Sequence, residues 1–140
     1  MENVLREFIE RFIREYPIEK KKSLANNPFA NFITNEVPKN IFEIDIIKGE
    51  EYRVQGSVGK GSWAAVPWVA IYDKNITTSA QKGEYIVYLL SVDNKILYVT
   101  FNQGCTELKN KYGKIETIKK LKEKSSFIQE KIESRGFSKE

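Results

Sequence analysis

The sequence predicts one α+β domain, with N-terminal helices, a central antiparallel or mixed β-sheet built from hairpins, and C-terminal helices. Three observations predict this order. Apolar residues recur every three or four positions near the N-terminus, alternate with polar residues in the middle, and return to helical spacing after residue 105. The 140 residues suffice for one ordinary core, and 41% hydrophobic with 30% charged residues is a globular composition. We therefore expect residues 1–140 to form a single domain.

Two helices are predicted before the sheet. The first covers roughly residues 2–16 and is expected to end at Pro17, since proline disrupts a helix interior. A second short helix is expected to begin at Pro28, whose missing N–H costs nothing in a first turn, and to end at Pro38. The apolar faces of the two helices comprise Val4, Leu5, Phe8, Ile9, Phe12 and Ile13, and then Phe29, Phe32 and Ile33.

Four strands are predicted in the centre, from the segments EYRVQGSVG, AVPWVAIYD, EYIVYLLSVD and KILYVTFNQG. Pro67 lies near the start of the second segment, which places that start at an edge or a bulge. The dipeptide Asp93-Asn94 is a turn signal between the last two segments and predicts a β-hairpin. The centre is therefore expected to be an antiparallel meander.

The C-terminal third is predicted to be helical, with SRG as a stop signal. Its loose apolar stripe comprises Ile115, Ile118, Leu121, Phe127, Ile128 and Ile132. Residues 1–104 carry 13 basic and 13 acidic side chains, whereas residues 105–140 carry 10 and 6, so the net charge of +4 lies in this third. The basic excess is compatible with nucleic-acid binding and equally with a solvated helix face.

The residue types exclude several classes of protein. The chain has no histidine, which removes Ser–His and Cys–His nucleophiles and most zinc sites. Its one cysteine, Cys105, excludes an internal disulfide and favours a reducing compartment. No apolar run approaches the roughly 20 residues needed to span a bilayer, and the N-terminus lacks the order of a secretory signal. We expect a cytoplasmic protein without membrane contact, cofactor or metal.

A glycine-rich turn, GSVGKGS, precedes both tryptophans. Its spacing does not fit a P-loop, which also requires a helix directly afterwards, so nucleotide hydrolysis is excluded. Gly59, Lys60, Gly61 and Ser62 are able to offer backbone N–H groups and an ammonium to a nucleic-acid phosphate. The alternative is a plain hairpin turn in which the glycines adopt positive φ.

Trp63 and Trp68 are five residues apart, so on an extended strand they face opposite sides. One indole is therefore expected to pack in the core while the other lines a surface or pocket. Four tyrosines add rings to the same sheet, and they suit either base stacking or core packing. They are Tyr72, Tyr85, Tyr88 and Tyr98.

A loose match to a restriction-type nuclease site is also present. Such sites combine a carboxylate with E-x-K on a neighbouring strand, and Asp93 followed by Glu107 and Lys109 fits that order. Asp93, however, is predicted to lie in a turn and Glu107 at a helix start. A small metal-dependent nuclease is therefore kept as an alternative.

The segments GKGSWAAVPWVAIYD and KGEYIVYLLSVDNKILYVTFNQG resemble the N-terminal domain family of McrB-type, modification-dependent (type IV) restriction proteins. The shared pattern is a G-x-G turn, an aromatic residue, P-W, an apolar strand ending near Asp, then G-x-Y and an apolar hairpin. It covers about residues 52–106. The resemblance implies a DNA-recognition domain taken from the N-terminal part of a longer restriction protein of antiphage defence, with no catalysis of its own.

The resemblance also implies roles for particular residues. In the best-known member of the family, a flipped 5-methylcytosine is held between aromatic rings beside an aliphatic side chain. Trp68 matches the pocket tryptophan, Leu89 matches the pocket leucine, and Phe137 is the counterpart offered for the second aromatic residue. Lys60 occupies the position of an aromatic wedge, which it cannot replace as a stacked ring. With Trp68 in the pocket, Trp63 on the opposite face is expected to be the core anchor.

The partners implied are double-stranded DNA with modified cytosine and a C-terminal GTPase or ATPase motor or nuclease, as a domain or a subunit. Lys74 and Lys82 are expected to add contacts to the DNA backbone, together with Lys60. A protein-interaction module that never meets DNA is the remaining alternative.

Overall fold

The computed structural model describes residues 2–45 and 47–131, in which helices at both ends of the chain flank a four-stranded sheet in sequence. The predicted α+β class is confirmed. The elements are α1 (Glu2–Glu19), α2 (Pro28–Asn31), a π-helix (Phe32–Glu36), α3 (Val37–Phe42), β1 (Tyr52–Ser57), β2 (Trp68–Asp73), β3 (Glu84–Leu90), β4 (Leu97–Gln103), α4 (Thr106–Tyr112) and α5 (Lys114–Lys131).

The sheet is an antiparallel meander in the order β1-β2-β3-β4. Side chains alternate between two faces, as strand geometry requires. On the helix face, the side chains of Val54, Val69, Ile71 and Tyr88 pack with the N-terminal helices. On the opposite face, called here the second face, Ala70, Tyr72, Tyr85 and Val87 form a smaller buried cluster.

Aromatic rings join α1 to the rest of the helix-face core. Phe8, Phe12 and Tyr16 lie one helical turn apart and are all buried. The Phe12 and Tyr16 rings meet edge-on at 6.0 Å, and Phe8 meets the β3 residue Tyr88 in the same way at 5.6 Å. This is the amphipathic packing that the spacing of the apolar residues predicts.

The prediction that Pro17 ends the first helix was wrong, because α1 continues to Glu19. The Lys20 N–H still donates to the Tyr16 carbonyl at 3.0 Å. Proline removes only one donor, and here that donor falls in the last turn, where the helix ends within a few residues.

Pro28 begins α2 as predicted, and the Asn27 side chain caps that helix by accepting from the Ala30 N–H at 3.0 Å. The expected stop at Pro38 was wrong. The chain continues from the π-helix into α3, with Pro38 in the first turn of α3. Hydrogen bonding changes from i→i+5 to i→i+4 at this junction, so a residue without an N–H is tolerated there.

Gly56 in β1 lies where the sheet touches the π-helix. A Cβ at Gly56 would stand 2.0 Å from the carbonyl oxygen of Ile33 and 2.9 Å from its carbonyl carbon. Ile33 is fully buried in the helix-face core. The close approach of the two backbones at this point therefore requires glycine.

The C-terminal helices are present, but the predicted apolar stripe is not a buried face. Ile115 is 87% exposed, Ile118 is also exposed, and Thr117 is the fully buried residue of this turn. Gly113, with φ of +80°, separates α4 from α5 and so interrupts the helical periodicity. Lys124 of α5 forms an ion pair with Glu84 of β3. Ile132 and the SRG stop signal lie outside the described residues.

No helix in the described part of the chain is both long enough and apolar enough to cross a membrane.

Two buried tyrosines predict a loss of stability in alkali. Tyr16 and Tyr72 are fully buried, and burial raises the pKa of each hydroxyl to about 12 from its ordinary value near 10. Folding therefore favours the protonated phenols. Their contribution is complete below pH 10 and falls as the pH rises from about 10 to 12, by up to about 1.4 kcal/mol per pH unit and group.

The measurement is the urea midpoint between about pH 8 and 11, compared with that of Tyr72→Phe, which has no phenol to ionise at this position. The midpoint of Tyr72→Phe should fall less steeply above pH 10. Equal slopes in the two proteins would contradict the assignment.

Candidate nucleic-acid interface

The loop of residues 58–67 joins β1 to β2 and contains the glycine turn. Gly59 has φ of +114° and Gly61 has φ of +79°, a region that favours glycine. A Cβ at Gly59 would lie 2.0 Å from the Ser62 carbonyl oxygen, so the loop closes on itself there. The expectation that the glycines adopt positive φ is confirmed.

Trp63 fastens this loop to α1 and its C-terminal end. The indole Nε1–H donates to the Lys22 carbonyl at 2.8 Å, and the ring meets Tyr16 edge-on at 5.6 Å. The Tyr16 hydroxyl donates to the Ala64 carbonyl, and the Ala64 N–H donates to the Val58 carbonyl at 2.7 Å. Trp63 also packs against the helix-face core, so its predicted role as a core anchor is supported.

Trp63→Phe is expected to destabilise the protein by about 0.5–1.5 kcal/mol, because it removes the hydrogen bond from the indole to the solvent-exposed Lys22 carbonyl. Chemical denaturation measures the change. A variant as stable as the wild type would show that the indole bond does not anchor the loop.

The tip of the loop projects into solvent. Lys60, Gly61 and Ser62 are exposed, whereas Val58 and Pro67 at the base of the loop are buried. Within the described ranges, no carboxylate lies within 4.0 Å of the Lys60 ammonium. A firmly held loop thus presents an unpaired cation and free backbone N–H groups, an arrangement suited to a phosphate.

Trp68 and Leu89 lie side by side on the second face. They are direct cross-strand partners at the end of the sheet from which the loop of residues 58–67 emerges. Both are half-buried and pack against the buried cluster of Ala70, Tyr72, Tyr85 and Val87. The structure therefore brings together the two candidate pocket residues that lie within its described range. Phe137, the third, lies outside it.

Of the four sheet tyrosines named from the sequence, Tyr98 is the one that lies beside the two pocket candidates. It is the cross-strand partner of Leu89, and the alternation of side chains puts it on the same face as Trp68. Its ring is 49% exposed. The signal that points to it is the tight hairpin at Asp93-Asn94, which sets the register of β3 against β4.

The other three tyrosines of the sheet pack against other side chains of the protein. Tyr72 and Tyr85 are buried with their rings 5.3 Å apart, and their hydroxyls donate to Gln55 Oε1 and the Ala80 carbonyl. Tyr88 lies on the helix face against α1, where burial raises its pKa. The core alternative is therefore the better account of these rings.

Lys74 and Lys82 lie at the other end of the sheet from Lys60. Lys74 follows the end of β2, and Lys82 precedes the start of β3. The five-residue step along β2 from Trp68 to this end spans about 17 Å. The Lys82 ammonium lies 3.8 Å from a Glu107 carboxylate oxygen, so its charge is partly compensated. The structure does not gather the three lysines into one cluster.

The candidate nuclease residues are also apart. Asp93 lies in the β3–β4 turn, where its carboxylate accepts from the Ser91 hydroxyl and the Lys95 N–H. These bonds lower its pKa, the Ser91 bond most. Glu107 lies beyond the opposite end of β4, about 20 Å away along a seven-residue strand. No cluster of three His, Cys, Asp or Glu residues suited to a metal ion occurs among residues 2–45 and 47–131.

The family model described as MrcB-like, N-terminal domain, matches residues 11–140. No curated protein and no solved structure matches the chain.

Proposed function

Because the chain belongs to the MrcB-like N-terminal domain family, we propose that it recognises modified cytosine in double-stranded DNA by taking the flipped base into a pocket on the second face of the sheet. The observation that carries the proposal is the pairing of Trp68 with Leu89 at the same sheet end as the Lys60 loop. The loop approaches the duplex, and the strand behind it places the indole under an extruded base.

The energies are compatible with this assignment. Extruding a base costs a few kcal/mol, and stacking on an aromatic ring returns about 1–3 kcal/mol. Contact of Leu89 with a 5-methyl group adds about 0.8 kcal/mol, roughly a fourfold preference. Strong discrimination therefore requires a pocket shape that clashes with bulkier bases.

Lys60 has a different role in DNA binding from that of an aromatic wedge. Its exposed ammonium stands at the tip of a loop whose base is tied to α1. A flexible aliphatic stem does not fill the gap of a missing base, so Lys60 contacts a backbone phosphate instead. Binding is then more sensitive to salt than binding through a stacked wedge.

The domain acts as the specificity module of a cytoplasmic, modification-dependent restriction system. A GTPase or ATPase motor, or a nuclease, in the same protein or a partner chain performs the reaction.

The test is binding of the protein to one duplex in three forms: unmodified, 5-methylcytosine and 5-hydroxymethylcytosine. We expect a modified form to bind most tightly, and binding of all forms to weaken steeply with salt. Leu89→Ala should reduce the preference for 5-methylcytosine about fourfold while leaving unmodified DNA unaffected. Equal binding of the three forms would refute recognition of the modification.

A protein-interaction module remains the second candidate, favoured by exposed apolar side chains of Ile86, Val99 and Phe101 on β3 and β4. Failure to bind any duplex at low salt would favour this function over DNA recognition.

A further inference from the structure

A cleft of about 360 Å³ lies at the edge of the sheet, where α3 meets β1. Its apolar lining includes the rings of Phe42 and Tyr52. Three cationic residues from three separate segments also line it: Lys39 of α3, Arg53 of β1, and Lys74 just after β2. This cleft is distinct from the pairing of Trp68 with Leu89.

The lysines of the cleft form no ion pair in the part of the chain that the structure describes, although Glu51 and Asp73 adjoin the lining residues along the chain. Over residues 2–45 and 47–131, neither Lys39 nor Lys74 has a carboxylate oxygen within 4.0 Å. The carboxylate of Asp73, next to Lys74, accepts instead from the Asn75 N–H at 2.9 Å. The lysines that do form ion pairs lie elsewhere and are Lys22, Lys48, Lys82 and Lys124.

Arg53 lines the cleft from β1, and its guanidinium lies at the adjoining second face of the sheet. There the guanidinium donates to the Thr78 carbonyl and lies 5.9 Å from the centre of the Tyr72 ring. One cation is thus positioned by the fold, while the two lysines remain free to move toward a ligand. Such a combination suits an extended anion better than a single small ion.

The direction of β1 connects this cleft with the base pocket. Arg53, Gln55 and Ser57 alternate onto the second face, and Ser57 is the cross-strand partner of Trp68. The four-residue step from Ser57 to Arg53 spans about 13 Å. A duplex lying along β1 would advance by about four base pairs over this distance, at 3.4 Å each.

We propose that this cleft, through Lys39, Arg53 and Lys74, binds the sugar–phosphate backbone of the same DNA about four base pairs from the flipped base. The distance of this contact from the flipped base rests on the proposed function, whereas the binding of a DNA backbone by the cleft does not. Backbone contact is independent of sequence, so the cleft adds affinity to modified and unmodified duplexes alike.

The experiment compares the wild type with the double variant Lys39→Ala/Lys74→Ala on modified and unmodified duplexes of about 16 base pairs, over a salt series. The matched control is Arg6→Ala/Arg14→Ala, which removes the same charge from exposed positions on α1. A set of duplexes carrying one neutral methylphosphonate each, stepped away from the modified base, locates the contact.

For Lys39→Ala/Lys74→Ala we expect about tenfold weaker binding of both duplexes near 0.1 M salt, and a salt slope smaller by about two. The ratio between modified and unmodified DNA should stay unchanged. Methylphosphonates about four base pairs from the modified base should weaken the wild type but not this variant. The control variant should bind like the wild type.

The proposal is overturned if the cleft variant binds as the wild type does, or if the control variant loses as much affinity. It is also overturned if inorganic phosphate shifts the NMR signals of the three residues while DNA binding is unaffected by the substitutions. If the wild type bound modified and unmodified DNA equally while Lys39→Ala/Lys74→Ala still bound both more weakly, the base pocket would be rejected and the cleft proposal would be supported.

Discussion

Trp68→Ala is expected to abolish the preference for modified cytosine while the domain remains folded. The indole is half-buried beside Leu89 and forms one side of the proposed pocket. Removing a stacking ring costs about 1–3 kcal/mol per base, which corresponds to about 5- to 150-fold in affinity. The modified duplex should then bind only as tightly as the unmodified one, through phosphate contacts that Trp68 does not make.

The measurement is the ratio of the two dissociation constants, with circular dichroism to verify folding. Trp63→Phe is the matched control, since it alters the other indole on the opposite side of the sheet. It should lower stability and retain the preference, the reverse of Trp68→Ala. Trp68→Phe should recover part of the preference because it restores a ring. A full preference in folded Trp68→Ala would reject the pocket.

Gly56→Ala is expected to destabilise the domain by more than about 4 kcal/mol, a value reached only by severe lesions. The added methyl would meet Ile33 backbone atoms at 2.0 and 2.9 Å, and backbone atoms cannot rotate aside as a side chain can. The sheet and the π-helix must therefore separate. Because domains are stable by about 5–15 kcal/mol, much of this variant should be unfolded.

The measurement is the free energy of unfolding from urea titration. Gly61→Ala is the control, because a Cβ there meets no atom within 4 Å and only its φ of +79° is unfavourable. It should cost about 1–2 kcal/mol. If Gly56→Ala were as stable as Gly61→Ala, the contact between β1 and the π-helix would not constrain the fold.

The strands and their order followed from local patterns. Alternation over EYRVQGS and EYIVYLL, together with the Asp93-Asn94 turn, predicted the meander that the structure contains. Trp63 and Trp68 contact opposite cores, as their spacing predicted, although Trp63 lies in the loop of residues 58–67 and not on a strand. The predictions that helices end at Pro17 and Pro38 were wrong, because the cost of a missing N–H depends on where in a helix it falls.

The sequence alone did not show which residues of different strands and helices become neighbours. Nothing local in the chain shows that Trp68 stands beside Leu89, or that Lys39, Arg53 and Lys74 line one cleft. Such contacts depend on register and on the docking of α3 against β1. For the same reason, the sequence identified Lys74 and Lys82 as candidate cations but did not show that they lie at the other end of the sheet from Lys60.

The tie between the loop of residues 58–67 and α1 has a kinetic consequence. The indole of Trp63 and the hydroxyl of Tyr16 hold the loop in one conformation before any ligand arrives. The entropy of ordering those residues is therefore lost when the protein folds, and not when it meets DNA. Association should follow a single phase whose rate rises linearly with DNA concentration up to the base-flipping step.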